Sequence, residues 1–312
     1  MARTSTISST ARSNPLAHFV GTGGTFGVAR ASHLIFRIMC DTDHMTSTLP
    51  GRQVVGDDIR TILERADPLP ESRPPIYDIS YRDTFWPLRA YEDRCDRIAL
   101  HALLPRSGAH LLDLGAGFGR LSNEYDAFDA VSLVDTSPAM IEAARERVGA
   151  DPRFTVTLAD AAHLPIADAS VDVVVAVRLL VHIDDPGAIF AEIARVLRPG
   201  GTLIVEFPNR RHLLSYLRYF TGRQSWSPMA SESHEYVAGH FAHHPRLVAA
   251  QLRDAGLRPD RRRSVSLFRA DWLKDHVPAR MLAGLEGWLQ GPLGRLAPGP
   301  SMYYRATLSG PG

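Results

Sequence analysis

The sequence predicts an α/β protein with a doubly wound, mostly parallel sheet of seven strands and helical cap elements. Three observations support this fold class. Short apolar runs alternate with helical segments between residues 109 and 207, which favours a parallel sheet with right-handed crossovers. The run "VDVVVAV" (171–177) is almost continuous in valine, as in a strand buried on both faces. Gly115, Gly117 and Gly119 directly follow the first apolar run, where open parallel sheets bind their ligands.

The individual elements follow from hydrophobic period and from helix start and stop signals. The helix predicted at residues 136–149 has Ser137 to cap it and Pro138 in its first turn, and the helix at 186–197 stops at "RPGG". A short helix is expected from Arg120. The predicted strands are 109–114, 130–135, 154–160, 171–177, 202–207, 262–269 and 301–309, the last two forming an antiparallel hairpin. The other predicted elements are helices at 81–105, 212–220, 244–256 and 271–290 and a loop at 222–239.

The chain divides into an N-terminal segment and one large domain. Residues 1–40 contain no Asp or Glu and show no lasting period, and four prolines lie within 65–76. We therefore predict a disordered tail and linker over 1–75. A targeting leader is the alternative, and whether residues 1–44 belong to the mature protein is left open. The domain should span 76–312, with cap helices at 76–110, a ligand-binding core at 111–207 and a C-terminal half at 208–312.

Composition limits the cellular setting. The formal net charge of +1 gives no general attraction to nucleic acid or to membranes. Two cysteines do not make a disulfide framework, which fits a reducing cytosol. No stretch of about 18 apolar residues is present, so no transmembrane segment is expected. A cytoplasmic protein is the prediction, and its oligomeric state is left open.

The glycine-rich stretch "LLDLGAGFGR" (111–120) fits two kinds of ligand. A dinucleotide site uses G-x-G-x-x-G with pyrophosphate at a helix N-terminus, but Arg120 stands where that pattern has its third glycine. No Gly-Lys-Ser/Thr sequence for a nucleoside triphosphate follows either. The glycines alone do not identify the ligand, so the motifs on either side of them must distinguish the possibilities.

Several flanking motifs resemble those of the class I S-adenosylmethionine-dependent methyltransferases, in particular small-molecule enzymes with a type 11 domain. The motifs are "LLDLGAGFG", "VSLVDTSPAMIEAAR", "LADAAHLPIADASVDVVV", "VHIDDP" and "RVLRPGGTLIV", which occur in the family's order between residues 111 and 207. The resemblance implies the Rossmann-like methyltransferase fold, S-adenosylmethionine as cofactor and methyl transfer as the activity.

The same resemblance implies a set of cofactor residues. Asp113 would face the ammonium group, and Asp135, at the end of the second strand, would accept from both ribose hydroxyls. Asp160 would accept from the adenine amino group while the N–H of Ala161 donates to a ring nitrogen. As single residues, these acids could equally be helix caps or turn residues. The full predicted set is Asp113, Gly115, Gly117, Gly119, Asp135, Thr136, Asp160, Ala161 and Arg178.

Arg178 and His182 are the candidate catalytic residues, because they follow the fourth strand where family members face the methyl group. His182 could be a general base, or methyl transfer could depend on alignment of the acceptor alone.

The predicted substrate pocket combines an aromatic segment and a histidine-rich one. Tyr81, Phe85, Trp86 and Tyr91 precede the first strand, and either fold over the cofactor or simply pack on helices. "SHEYVAGHFAHHP" contributes His234 and His240. No metal is predicted, because the spacing of the histidines matches no zinc pattern.

Two further features bear on the acceptor. The apolar stripe Trp272, Leu273, Met281, Leu282, Leu285, Trp288 and Leu289 is expected to be core, with a pocket wall or a membrane surface as alternatives. The basic run 258–263 is expected to be a solvated turn that enters a strand, with phosphate contact to RNA or DNA as the alternative. The predicted partner is therefore a small, partly apolar methyl acceptor and not a nucleic acid. The alternatives are a nucleic-acid methyltransferase, a non-catalytic cofactor-binding protein and an NAD-dependent oxidoreductase.

Overall fold

The computed structural model describes residues 81–310. The predicted tail and linker over 1–75 lie outside these described residues, as does the start of the predicted domain at 76. In chain order the elements are α1 (Ala90–Leu103), β1 (Gly108–Leu114), β2 (Phe128–Asp135), α2 (Pro138–Val148), β3 (Phe154–Leu158), β4 (Val171–Ala176), α3 (Gly187–Val196), β5 (Leu197–Pro208), α4 (Leu213–Phe220), β6 (His234–Val237), β7 (His240–Ala242), α5 (Pro245–Asp254), β8 (Leu257–Val265), α6 (Asp271–His276), α7 (Ala279–Gln290) and β9 (Ser301–Leu308).

Seven of these strands form one sheet in the order β3-β2-β1-β4-β5-β9-β8. β1 to β5 run parallel, and β9 lies antiparallel between β5 and β8. The predicted fold class is confirmed, including the antiparallel pair at one end. Chain order reverses between the neighbouring strands β1 and β4, so the connections that follow them lead in opposite directions and leave a crevice at their carboxyl ends.

Apolar side chains cover both faces of the sheet. Val171 and Val174 of β4 pack into one apolar layer, and Val173 and Val175 pack into the layer on the opposite face. This explains why the fourth strand has valine on both alternations. The helix after β2 starts as predicted, since Ser137 accepts a hydrogen bond from the Met140 N–H at 3.4 Å and Pro138 stands at its start.

Four local predictions were wrong. Arg120 begins no helix, because the chain continues in turns to a 3₁₀ turn at Ser122–Glu124. The loop at 222–239 contains β6, which pairs with β7. The basic run 258–263 lies within β8, because β8 pairs with β9 from Leu257 onward.

The fourth is the helix at 271–290, which is broken into α6 and α7 before Pro278. A proline in a continuing helix would clash with the preceding turn and would donate no hydrogen bond. Within the described residues, no helix is long and apolar enough to cross a membrane.

Four of the seven residues of the apolar stripe of α6 and α7 face outward, contrary to the prediction of a core position, whereas Leu282 is buried as predicted and Leu273 packs partly against the same core. Trp272, Met281 and Leu285 are exposed, and Trp288 is 86% exposed. The buried face of α7 instead carries two polar residues, Glu286 and Gln290, beside Leu282 and Ala283.

Glu286 explains this orientation, because its carboxylate satisfies buried donors. It accepts from the backbone N–H groups of Ser266 (2.8 Å) and Leu267 (2.7 Å) and from the Tyr91 hydroxyl. Gln290 donates to the backbone oxygen of Cys95 at 3.1 Å. α7 is thus fixed by hydrogen bonds to α1 and to the segment after β8.

Glu286→Ala should lower the free energy of unfolding by about 3–5 kcal/mol, because a buried N–H without an acceptor costs about 1–3 kcal/mol. Urea denaturation at pH 7 measures the change. The matched control is Asp275→Ala at an exposed acid of α6, which should change stability by about 0.5 kcal/mol or less. Equal effects of the two substitutions would contradict the assignment.

Candidate active site

One cleft opens at the carboxyl edge of the sheet, beside the point where chain order reverses. It is lined by the ends of β1 and β2 and by the segments after β3 and β4. The lining residues are Tyr81, Leu114, Gly115, Gly117, Val134, Asp135, Thr136, Met140, Ala159, Asp160, Ala161, Arg178, Leu179, His182, Ile183 and Ile189. Most of this wall is apolar, and the polar groups are concentrated at four strand ends.

The glycine turn brings backbone to the surface of the cleft. Gly115 and Gly117 have φ angles of +73° and +55°, which a side chain would strain. A Cβ on Gly115 would lie 3.1 Å from Leu179 Cδ1, whereas a Cβ on Gly117 would project into open space. Gly117 lines the cleft, so a side chain there would compete with a ligand. Gly119 does not line it; a Cβ there would lie 3.4 Å from Leu133 Cδ1, so its role is packing.

Asp135 lies at the end of β2 and lines the cleft. Its Oδ2 accepts from the Gly117 N–H at 2.8 Å and its Oδ1 accepts from the Ser137 N–H at 2.9 Å. Burial raises the pKa of this carboxyl, and the backbone donors oppose that rise. Each oxygen keeps a further lone pair, so the carboxylate can also accept from two neighbouring hydroxyls of a ligand.

Thr136, Asp160 and Ala161 line the cleft next to Asp135. Asp160 Oδ1 accepts from the Ala162 N–H at 2.9 Å, which fixes the turn after β3. Asp160 therefore also acts as a turn residue, which was the alternative interpretation of this acid.

Asp113 is placed differently from the other predicted acids. It is 3% exposed, is absent from the cleft lining and accepts from the Tyr125 hydroxyl at 2.9 Å. Burial raises its pKa to about 7, against the lowering effects of Tyr125 and of the Arg120 charge. It lies beneath the glycine turn, so its contact with a ligand ammonium group stays a prediction.

A buried ion network underlies the cleft. The Asp96 carboxylate of α1 accepts from Arg178 Nη2 at 3.2 Å and from Arg120 Nη2 at 3.1 Å. Arg178 has a φ of +64°, and its backbone N–H donates to Glu206 Oε2 at 3.0 Å. Glu206 also accepts from the Ser301 hydroxyl at 2.5 Å.

Sequence reasoning missed Asp96 and Glu206. A signal existed for Glu206, the single acid inside the apolar strand "TLIVEF". None existed for Asp96, which lies in a helix with many charged residues.

The aromatic segment before α1 contributes Tyr81 to the cleft lining, while Phe85 and Trp86, predicted pocket residues, pack behind Tyr81 and do not line the cleft. The ring centroid of Tyr81 lies 4.9 Å from that of Phe85 and 6.0 Å from that of Trp86. The Arg120 guanidinium lies 3.7 Å from the centre of the Trp86 ring, a cation–π contact. Tyr91 does not belong to this group, which corrects the prediction, because its hydroxyl is committed to Glu286 on the other side of α1.

His182 and the histidines of the segment 234–244 have different surroundings. The His182 and His240 rings lie 4.9 Å apart, and His182 lines the cleft. Burial lowers the pKa of His182 to about 4, with a smaller contribution from His240, so His182 is neutral at pH 7. His234 stacks on Trp226 at 4.5 Å and is absent from the cleft lining, which does not fit its predicted place in the substrate pocket.

His243 and His244, the other two histidines of the histidine-rich segment, are structural. His243 Nε2 lies 2.9 Å from the Leu180 carbonyl, and His244 caps α5 by accepting from the Arg246 N–H. Among residues 81–310, no group of three or more His, Cys, Asp or Glu side chains is arranged to bind a metal ion.

Comparison with known proteins assigns residues 112–205 to a family described as "Methyltransferase domain". An uncharacterised 37.1 kDa protein encoded in a transposon of Streptomyces fradiae is 31% identical over 56% of this chain and 54% of its own length. The 27-O-demethylrifamycin SV methyltransferase of Amycolatopsis mediterranei is 40% identical over 35% of this chain and 41% of its own length. The chain thus spans about half, or less, of the length of these relatives.

Among solved structures, a methyltransferase of Thermotoga maritima described as a possible histamine N-methyltransferase has the same fold. Its TM-score is 0.52 at 20% identity, and the match covers 74% of this chain and 97% of that one.

The stability of the protein should depend on pH through Asp113. Its pKa is about 7 in the folded protein and ordinarily 3.8, so its contribution is present at low pH and is lost as pH rises through about 7. Between pH 5 and pH 8 the native protein should lose about 2–3 kcal/mol more stability than Asp113→Asn. Urea denaturation across that range gives the difference. Asp254→Asn, at an exposed acid, should keep the native pH dependence, and a parallel curve for Asp113→Asn would refute the raised pKa.

Proposed function

We propose that this chain, which belongs to the class I S-adenosylmethionine-dependent methyltransferases, transfers a methyl group from S-adenosylmethionine to a small, partly apolar acceptor. The observation that carries this proposal is the cleft beside β1, where a glycine turn, the Asp135 carboxylate and the Asp160–Ala161 turn come together. These groups suit a nucleoside, which presents two ribose hydroxyls and a base edge.

The residues of the cleft fit S-adenosylmethionine. We expect Asp135 to accept from the ribose hydroxyls and the Asp160–Ala161 turn to contact adenine. The space beside Gly117 leaves room for the ligand against the backbone. When bound, the cofactor supplies an electrophilic methyl group on a sulfonium cation, and a mostly apolar wall suits a reaction in which that charge disperses.

The same cleft suits a dinucleotide poorly. Pyrophosphate sites use the N-terminus of a helix that follows the glycine turn directly. Here the residues from Arg120 to Asp126 form turns and one 3₁₀ turn. The Arg120 side chain points to Asp93 and Asp96, where its charge is already paired.

For the acceptor we propose a hydroxyl group. Support comes from the relative named for 27-O-demethylrifamycin SV, an O-methylating enzyme by its name. Residues of the cleft wall would hold the acceptor hydroxyl toward the methyl group that bound S-adenosylmethionine would supply; S-adenosylhomocysteine would be the other product, and the hydroxyl proton would pass to solvent as the products leave. The protein contributes alignment and exclusion of water. His182, neutral at pH 7, can accept a hydrogen bond from that hydroxyl and so orient it. A cytosolic setting belongs to the same proposal, on the strength of the low cysteine content.

Incubation of the purified chain with methyl-tritiated S-adenosylmethionine and a panel of small hydroxylated compounds tests the proposal. We expect label to enter an organic-soluble product in at least one mixture, with S-adenosylhomocysteine formed in equal amount. Tight binding of S-adenosylhomocysteine without label transfer to any compound would favour a non-catalytic binding protein. Transfer to added RNA or DNA alone would favour a nucleic-acid methyltransferase.

Asp135→Asn should weaken S-adenosylhomocysteine binding by about 1.5–3 kcal/mol, because the amide nitrogen no longer accepts from a ribose hydroxyl. Isothermal titration calorimetry measures the affinity. Asp129→Asn, at an exposed acid of the same strand, is the control and should bind like the native chain. If Asp135→Asn also binds normally, the ribose contact is elsewhere.

His182→Ala should lower the turnover number by less than about 10-fold with the acceptor found in the screen, because a residue that only orients a hydroxyl contributes less than a base. Loss of a general base costs about 10²–10⁴-fold. The native rate should not titrate with His182 between pH 6 and pH 8, since its pKa is about 4.

Trp86→Ala should reduce the turnover number more than His182→Ala does, because it removes the ring that packs on Tyr81 of the cleft wall. His234→Ala serves as the histidine control, and a loss above 10²-fold for His182→Ala alone would identify a base.

A further inference from the structure

α4 presents leucine and phenylalanine to solvent on one stripe. Leu213, Leu217 and Phe220 are 69%, 60% and 72% exposed, and their spacing of four and three residues places them on one side of the helix. The buried side carries Ser215, which accepts from Gln224 Nε2 at 2.9 Å. Leu296, 75% exposed, lies two residues before the Pro298 carbonyl that accepts from the Leu213 N–H at 2.9 Å. We call Leu213, Leu217, Phe220 and Leu296 the α4 apolar face.

The segment around this face is positively charged. Residues 208–231 contain four arginines, Arg210, Arg211, Arg218 and Arg223, and no Asp or Glu. Arg210 donates to the backbone carbonyls of Ser227 and Glu232, and Arg211 donates to the Tyr216 hydroxyl. Arg210 is only 2% exposed and lies near the charge of Glu232, so the positive charge at the surface of the segment comes from Arg211, Arg218 and Arg223.

The segment also belongs to the edge of the molecule that contains the cleft. It follows the carboxyl end of β5, and the β6–β7 hairpin that comes after it supplies His240, which contacts His182 of the cleft wall. The α4 apolar face and the cleft are therefore carried by one edge of the sheet.

We propose that the α4 apolar face docks on the surface of an anionic lipid bilayer. Leucine and phenylalanine side chains would enter the boundary between headgroups and acyl chains, and Arg211, Arg218 and Arg223 would contact lipid phosphates. Helices that lie in such an interface combine exposed leucine or phenylalanine with neighbouring arginine or lysine, as α4 does. A second copy of the chain fits this face less well, because a symmetric contact would bring two sets of arginines together.

The α7 stripe of Met281, Leu285 and Trp288 provides a matched comparison. It is equally exposed, but the α6–α7 region mixes Asp271, Asp275, Lys274 and Arg280. The α7 stripe therefore has an exposed apolar face, but the charges around it are of both signs, unlike those around α4.

Sedimentation of the full chain with vesicles tests the proposal without any methyl transfer, so its result is separate from that of the proposed function. Vesicles of phosphatidylcholine with phosphatidylglycerol are compared with vesicles of phosphatidylcholine alone. We expect binding to the anionic vesicles, weakening as salt is raised. The triple variant Leu213→Gln, Leu217→Gln, Phe220→Gln should partition about 10-fold or more weakly. The triple variant Met281→Gln, Leu285→Gln, Trp288→Gln should bind like the native chain.

A cooperative thermal transition in both variants, at the native temperature, shows that the substitutions leave the fold intact. Three results would overturn the proposal: no binding of the native chain to anionic vesicles, equal loss in the two triple variants, or self-association of the native chain that the α4 variant abolishes. The last would identify a second copy of the chain as the occupant.

Discussion

The Asp96 carboxylate, buried between two arginines, connects the parts from which the cleft is built. Arg120 comes from the end of the glycine turn, and Arg178 comes from the end of β4. Through its backbone N–H, Arg178 also contacts Glu206 of β5, which contacts Ser301 of β9. A helix that precedes the sheet in sequence therefore fixes the carboxyl ends of several strands. A buried carboxylate needs such partners, since an unpaired charge in the interior is strongly destabilising.

The same principle, that buried polar groups must be paired, explains the unusual outer surfaces of α4 and α7. Each helix turns polar residues inward, Ser215 in α4 and Glu286 and Gln290 in α7, where they accept or donate specific hydrogen bonds. Their apolar side chains then face outward. The buried hydrogen bonds fix the position of each helix, but they leave part of its apolar surface exposed. That surface is available for an interaction.

Sequence period and spacing predicted most of the sheet and the ligand-binding turn. The valine run became a strand buried on both faces, Ser137 capped its helix, and Gly115, Gly117 and Asp135 line one cleft, because all of these depend on local sequence. Features that depend on distant partners could not be predicted. Hydrophobic period gives no sign that Tyr91 pairs with Glu286, 195 residues later in the chain, or that Asp96 joins two arginines. The outward position of Met281, Leu285 and Trp288 of α7 follows from the first of these pairs, which is why this part of the stripe was wrongly predicted to be core.

The central claim is that the cleft beside β1 binds a sulfonium nucleoside and not a dinucleotide. Calorimetric titration of the purified native chain with S-adenosylhomocysteine and, separately, with NAD tests it most directly. We expect saturable binding of S-adenosylhomocysteine at one site per chain and no measurable binding of NAD. Binding of NAD at comparable strength, with no binding of S-adenosylhomocysteine, would contradict it.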